Sequence, residues 1–509
     1  MKTLIIIFTC LISTMVFSQN ISNTLGTNGL FTIKNGTTTY FTLTQSTGNV
    51  DLIRSLNLQN TTDTNSGIIR KGGLRFLQNF GPTNSGNIFL GILSGNYTMG
   101  GAFPEGCYNT GIGHSSLNSV TIGHSNTAIG LQSLYKNTTG SSNTAVGMNS
   151  LMYNISGNYN IAVGTQTLLN NTTGYHNIAL GFQTMLNNTI GNWNIAVGSG
   201  SLKFNTTGVY NTAIGFGSMI NNTSGFYNTG IGMGSLSANL TGVGNTGLGM
   251  WALVSNTTGD NNVSVGYAST SNNTTGTENT VVGTQSMYYN TTGSKNTTLG
   301  FRSLYVSTTG SQNTILGNIA GNTITTGSNL TIIGYNAQAS SIDAVNQVTI
   351  GNNFVTSIRS NVTSLTSLSD MRDKRNITNL TMGLDFITKL SPRQFNWDKR
   401  EWYDTNISDG SKMQQSPTAG FIAQELDEVQ TTANAEWLNL VLKDNPEKLE
   451  ATYGNLLPIM VKAIQELKIE NDALRSEIEA IKIDKVSLTK LEEMIMELKL
   501  LNDVKPVKN

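Results

Sequence analysis

Asn143-Thr-Ala-Val-Gly147-Met-Asn-Ser-Leu151-Met-Tyr-Asn154-Ile-Ser-Gly157-Asn-Tyr159 is one period of a repeat. Its first glycine returns every 17 residues, from Gly113 through Gly130, Gly147 and Gly164 to Gly351. An asparagine stands four residues before each such glycine from Asn109 to Asn313. A second glycine column runs at the same spacing from Gly106 to Gly327. Between the two lies an apolar column: Leu117, Leu134, Leu151, Leu168, Met185, Leu202, Met219, Leu236 and Leu253. Thr270 interrupts it, and Met287 and Leu304 resume it.

A short fixed period means one coil of a solenoid or roll per repeat. The Asn-Thr-Ala-Val-Gly stretch alternates as a half-buried strand does. The Asn-Thr-Thr-Gly stretch reads as a turn, with asparagine tolerating the left-handed region and glycine supplying positive φ. A repeat this short cannot hold two helices, and this glycine density opposes helix. Coils stack ~4.8 Å apart, so the array predicts a rod of roughly 70 Å. Each coil offers about one Leu or Met and two small aliphatics, which predicts burial against further copies of the chain.

The whole chain has 509 residues and no net charge, with 30 Lys+Arg against 30 Asp+Glu. That balance gives no steering toward nucleic acid or an anionic membrane. The charge is unevenly placed. Residues 1–368 carry 11 basic and 6 acidic residues, against 19 and 24 in residues 369–509. Two kinds of chain therefore meet near residue 369. The 2 cysteines exclude a disulfide scaffold, and the 3 histidines lack metal-ligand spacing. No cofactor and no metal are expected.

Met1-Lys2, the apolar run Leu4–Leu11 and the small residues after it form a secretory signal, with Val16 and Ser18 at the cleavage positions. Cleavage is placed after Ser18, leaving Cys107 as the one thiol. The remaining chain has no run long enough to span a bilayer. The expected location is secreted or cell surface. Residues 19–100 form an N-terminal β cap or tip. Within it, Phe31–Leu43 alternates around Asn35-Gly36, a hairpin signal. Asn87–Gly91 reads as an irregular first repeat, followed by an insertion of five residues before Gly113.

The register Asn-Thr-Ala-Ile-Gly…Ser-Leu…Gly-x-x-Asn-Thr-Ala-Ile-Gly, over about residues 101–355, resembles the head repeats of trimeric autotransporter adhesins. The resemblance implies a trimeric parallel β-roll. The familiar repeats are a few residues shorter, so the turns here are longer. A monomeric β-solenoid is the alternative.

One column suggests binding. Tyr159, His176, Trp193, Tyr210 and Tyr227 precede the repeated asparagine in consecutive coils. They form a ladder that either docks a cell-surface or glycan receptor or stacks upon itself, and self-stacking is the favoured reading. The sequons at Asn137, Asn171 and Asn205 repeat with the turn, so turn chemistry explains them without sugar. The threonine columns raise an ice-binding surface, disfavoured because they are placed in the turn.

Past residue 355 the period stops. Residues 356–368 read as a linker. Four blocks follow: Ser369-Asp-Met-Arg-Asp-Lys374-Arg-Asn-Ile377; Leu384–Leu390 with Phe395-Asn-Trp397; Gly420–Val429; and Tyr453–Leu467. In this order they resemble the C-terminal intramolecular chaperone domain of phage endosialidases and tail spikes, peptidase family S74. The resemblance implies a domain, residues 369–463, that trimerises, helps a β-rich fibre fold and then cuts itself off between Leu368 and Ser369. It implies Ser369 as nucleophile and Lys374 as general base. A serine hydroxyl needs a base to become a nucleophile, and burial lets a lysine serve as one. Arg372 and Arg375 are placed to add like charge. Residues five apart do not meet on a regular helix or strand, so contact needs a bend or a neighbouring chain. Asp373 stands where that family usually carries an apolar residue.

Residues 464–505 read as a coiled coil. Leu467, Leu474, Ile481, Leu488 and Ile495 fall seven apart, with Ile464, Asn471, Ile478 and Lys485 as the partner column. The seam shifts toward Leu491 and Leu498 near its end.

The combined expectation is a multidomain, mainly β protein: a 17-residue-repeat parallel β-roll or solenoid, a small α+β chaperone domain and a coiled-coil helix. Its expected role is a homotrimeric exported fibre or adhesin. Its only chemistry is one self-cleavage, with none on external substrates. The alternatives are a spike-borne glycan enzyme, or an uncleaved surface scaffold on a permanent stalk. The six acidic residues of the β region form no evident carboxylate pair for glycoside hydrolysis.

Overall fold

The structure, a computed structural model of the chain, describes residues 30–35, 38–44, 49–52, 67–82, 84–355, 357–359 and 369–502. The secretory signal, the Asn35-Gly36 turn's glycine, most of the linker and Leu368 lie outside the described residues.

Strands β1 (Leu30–Asn35), β2 (Thr38–Thr44) and β3 (Asn49–Leu52) form an antiparallel sheet in which Asn35 pairs with Thr38 across the hairpin. Strands β4 (Ile69–Lys71) and β5 (Leu74–Gln78) pair antiparallel, and β5 pairs antiparallel with β6 (Ile88–Leu90). From β6 to β21 every pairing is parallel. β6 joins β7 (Thr110–Ile112), β7 joins β8 (Thr127–Ile129), and further three-residue strands follow at 17-residue intervals to β20 (Thr331–Ile333) and β21 (Val348–Ile350). Each strand pairs with its neighbours in sequence, giving an open β-solenoid. The irregular repeat at Asn87–Gly91 is its first parallel strand.

Hydrogen bonding between coils extends well beyond these strands. In the repeat at Asn143, the N–H of Gly147 donates to Ile129 (2.7 Å), that of Leu151 to Thr167 (3.0 Å) and that of Ile155 to Thr172 (2.8 Å). The turns are therefore laddered as the strands are, and the buried backbone groups find partners in adjacent coils.

A single chain fills its own interior. The Leu/Met column, Ala128, Ala145, Ala162, Ala179, Ala196 and Ala213, and both asparagine columns are fully buried. The expectation that a coil has too little core of its own is corrected. The missing volume is supplied by polar side chains that bond along the axis. Asn160 Nδ2 donates to Gly174 O (2.9 Å), and Asn154 Nδ2 donates to Asn137 Oδ1 (2.7 Å) and Gly157 O (3.0 Å). Buried amides whose donors and acceptors are satisfied avoid the desolvation penalty that would otherwise exclude them from a core. Thr270 does divide the apolar core. The cluster ending at Leu253 is separate from the one beginning at Val281, and between them Ser264 Oγ donates to Ser269 O (2.9 Å) and Thr270 Oγ1 (3.3 Å).

The backbone places positive φ on residues other than those expected. Leu151 has φ 50° and Tyr159 φ 57°, and the same holds along both columns. The glycine of the Asn-Thr-Thr-Gly turn has no positive φ. It is required for close approach: a Cβ at Gly157 would lie 2.3 Å from Gly174 O and 2.5 Å from Asn154 Oδ1. A left-handed leucine costs roughly 1–2 kcal/mol, offset here by its burial and by the bond of its N–H to the next coil.

The C-terminal region contains α1 (Leu384–Ile387), β22 (Arg393–Phe395), β23 (Thr418–Gly420), α2 (Ala423–Thr432), β24 (Val441–Leu442), β25 (Glu450–Ala451) and α3 (Leu457–Asn502). Phe386, Leu426, Leu438, Leu440, Val441, Leu456 and Ile459 form its core. α3 continues for 46 residues, far past that core. Its Leu467, Leu474, Ile481, Leu488 and Ile495 are all exposed in the single chain.

Candidate functional site

Ser369 and Lys374 are brought together by one turn of 3-10 helix, Met371–Asp373. Asp370 caps this turn, its carboxylate accepting the backbone N–H of Arg372 at 2.8 Å. At the other end Lys374 leaves the turn in an extended conformation, with its N–H bonded to Met371 O (3.1 Å). The bend folds the chain back, and Lys374 Nζ donates to Ser369 Oγ. This is the local bend that regular helix or strand geometry could not supply.

The surrounding charges differ from the expectation for Arg372. Its guanidinium forms a bidentate pair with Asp370, Nη2 to Oδ2 at 2.7 Å and Nε to Oδ1 at 3.1 Å. The side-chain bond from Arg372, then that from its backbone N–H, holds the Asp370 carboxyl below the usual carboxylate range. The Arg372 charge is thereby paired locally with Asp370. Arg375 Nη1 donates to Arg372 O and Lys374 O, both at 2.9 Å, and ties down the exit of the turn. Ser369, Asp373 and Lys374 are all exposed. A lysine becomes a base once burial disfavours its charged form. The arrangement thus has the serine oxygen and the lysine nitrogen in contact and no cover over them.

Behind the turn, the module is held by contacts that the sequence did not advertise. Glu466 of α3 accepts the N–H of Leu384 at 2.6 Å and so caps α1 from 82 residues away. Arg393 of β22 forks onto Glu425 of α2, Nη2 to Oε1 at 2.7 Å and Nε to Oε2 at 3.0 Å. No local sequence signal joins either pair.

The aromatic column is a continuous stack. Ring centroids are 4.8 Å apart for Tyr159–His176, 4.0 Å for His176–Trp193, 6.3 Å for Trp193–Tyr210 and 5.2 Å for Tyr210–Tyr227. Interplanar angles are 6°, 13°, 8° and 22°. Tyr175 and Phe226 pack edge-on against the stack. Each interior ring therefore spends its faces on neighbouring coils, and only the outer faces of Tyr159 and Tyr227 lie beyond the stack. A docked sugar needs an open aromatic face. The sequon asparagines Asn137, Asn171 and Asn205 are fully buried, their amide nitrogens bonded inside the coil. The threonines divide between two places: Thr139, Thr173 and Thr207 lie in the turn as expected, while a further column, such as Thr127, Thr144 and Thr212, stands on the outward sheet face.

Residues 369–434 match the family model Peptidase_S74, described as the chaperone of endosialidase. The matched segment opens at Ser369. Comparison with curated proteins and with solved structures finds no match. No helix among the described residues is long and apolar enough to cross a membrane.

Proposed function

We propose that this chain is an exported trimeric fibre or adhesin-like protein. In this reading the solenoid is the product and the S74-type domain is its assembly device. The observation that carries it is the Lys374–Ser369 contact at the first residue of the family match. The unpaired seam of α3 supports it as well, since a long helix with an exposed heptad stripe is stable chiefly in a bundle.

The chemistry proceeds on the chain's own atoms. Lys374 Nζ takes the proton of Ser369 Oγ as that oxygen attacks the carbonyl carbon of Leu368. The Leu368–Ser369 C–N bond breaks, the serine nitrogen gains a proton, and an ester joins Leu368 to Oγ. Water then opens the ester, leaving a Leu368 carboxylate and a free Ser369. The exposed pair acquires its cover from a neighbouring chain in the trimer, so assembly precedes the cut. The aromatic stack serves in this account to align coils, with receptor docking confined to its ends. The intact masses of the wild type and Ser369→Ala test the proposal. A wild-type terminus at Ser369, absent from the variant, supports it. Identical uncut chains would leave a permanent stalk instead.

A further inference from the structure

The outward face of the solenoid sheet has a composition that a single chain does not use. In every strand from β6 to β21 the middle residue points inward. In every one of them the third residue is Ile, Leu or Val. The first residue is always β-branched: Thr, Ile or Val. No charged residue occurs at either position. These side chains are half-exposed or exposed along the whole rod: Ile129 is 38 % accessible, Ile214 37 %, Leu299 53 % and Ile350 55 %. Isolated surface aliphatics need no explanation, but an unbroken stripe marks an interaction surface.

We propose that this stripe is the face through which copies of the chain pack in register around a common axis. This rests on the trimeric reading above and names its interface. Two observations select a second copy over other occupants. The α3 seam of Leu467, Leu474, Ile481 and Leu488 is exposed in the same chain, and a parallel coiled coil sets identical rods side by side. The stripe also supplies much of the area a dimer contact needs. Spanning β6 to β21 at ~4.8 Å per coil, with its two outward columns ~7 Å apart, those columns alone offer on the order of 500 Å². A stable interface buries about 800 Å² per partner, so the flanking side chains belong to it as well. Met148, Phe182, Phe216, Met233 and Phe301, each following a repeat glycine, broaden the stripe on one side. The other exposed apolar run, the aromatic stack, covers only the coils from Tyr159 to Tyr227, and exposed turn positions mostly carry threonine and serine, such as Thr173, Thr207 and Ser224.

Cysteine cross-linking of full-length protein in the Ser369→Ala background tests the assignment. Ile214→Cys is expected to give disulfide-linked pairs under mild oxidation, and Thr207→Cys monomers; the native Cys107 is buried. As a second measurement, Ile129→Lys with Ile214→Lys is expected to widen the rod cross-section in small-angle scattering, while Thr173→Lys with Thr207→Lys leaves it unchanged. Trimeric mass with no Ile214→Cys cross-link would overturn the face assignment alone. Monomeric mass of the parent would overturn both this face and the trimeric reading. Cross-linking at Thr207 and not at Ile214 would move the interface to the turn edge.

Discussion

Asn160 and Asn143 are joined twice through one oxygen: the backbone N–H of Asn160 reaches Asn143 Oδ1 at 3.0 Å, and its side-chain Nδ2 reaches the same atom at 3.1 Å. This relation repeats along the rod. It makes each coil's core polar, directional and dependent on the coil before it.

Breaking one link should therefore cost more than a surface hydrogen bond. Asn194→Ala removes the acceptor for the N–H and Nδ2 of Asn211 and the donor to Gly208 O. Buried groups left unpaired cost about 1–3 kcal/mol each. A loss of roughly 2–3 kcal/mol is expected in denaturant unfolding of the rod. Thr207→Ala, at an exposed turn position, should change it by less than about 0.5 kcal/mol.

Two glycines two residues apart should behave oppositely. A Cβ at Gly215 would lie 2.7 Å from the carbonyl of Gly232, at φ 129°. At Gly217 there is open space, at φ 60°. Gly215→Ala should prevent the rod from folding or lower its unfolding midpoint sharply. Gly217→Ala should cost only about 1–2 kcal/mol, the left-handed penalty.

The turn that joins Ser369 to Lys374 depends on its cap. Asp370→Ala removes both the cap and the Arg372 pair. It should slow cleavage by about tenfold, in line with misplacement of a reacting group, without changing oligomeric mass. Lys374→Arg should abolish cleavage, because a guanidinium does not give up its proton. Anti-C-terminal blots over time resolve the two.

Acid should loosen the C-terminal module before the rod. The N–H of Leu384, and secondarily Lys462, holds the Glu466 carboxyl below its usual range. A carboxyl depressed on folding contributes fully above its unfolded value, and that contribution is lost as pH falls through the folded value. Helical circular dichroism should decline below the ordinary glutamate range, while strand signal persists. Glu466→Gln should remove that part of the acid dependence. An unchanged acid profile in the variant would argue against the contact.

The period, the strand in each coil and the break at Thr270 were legible because each is a column in the sequence. So was the pairing of β1 with β2. The left-handed leucines were not, since nothing local distinguishes Leu151 from a leucine in a strand; the stacked coils impose that conformation. The polar core was hidden because the Asn154 column reads as turn chemistry. At the candidate site, Ser369 and Lys374 could be named as a pair from the sequence, while the bend that brings them into contact came from Asp370, Arg372 and the short 3-10 turn together. Glu466 and Leu384 meet only through tertiary packing.

The decisive measurement is the intact mass of purified wild type beside Ser369→Ala. A C-terminal fragment beginning at Ser369 and a trimeric rod are expected in the wild type, with a single full-length chain in the variant. Wild-type protein that is trimeric yet uncut, or cut at the same place in Ser369→Ala, would contradict self-cleavage by Ser369.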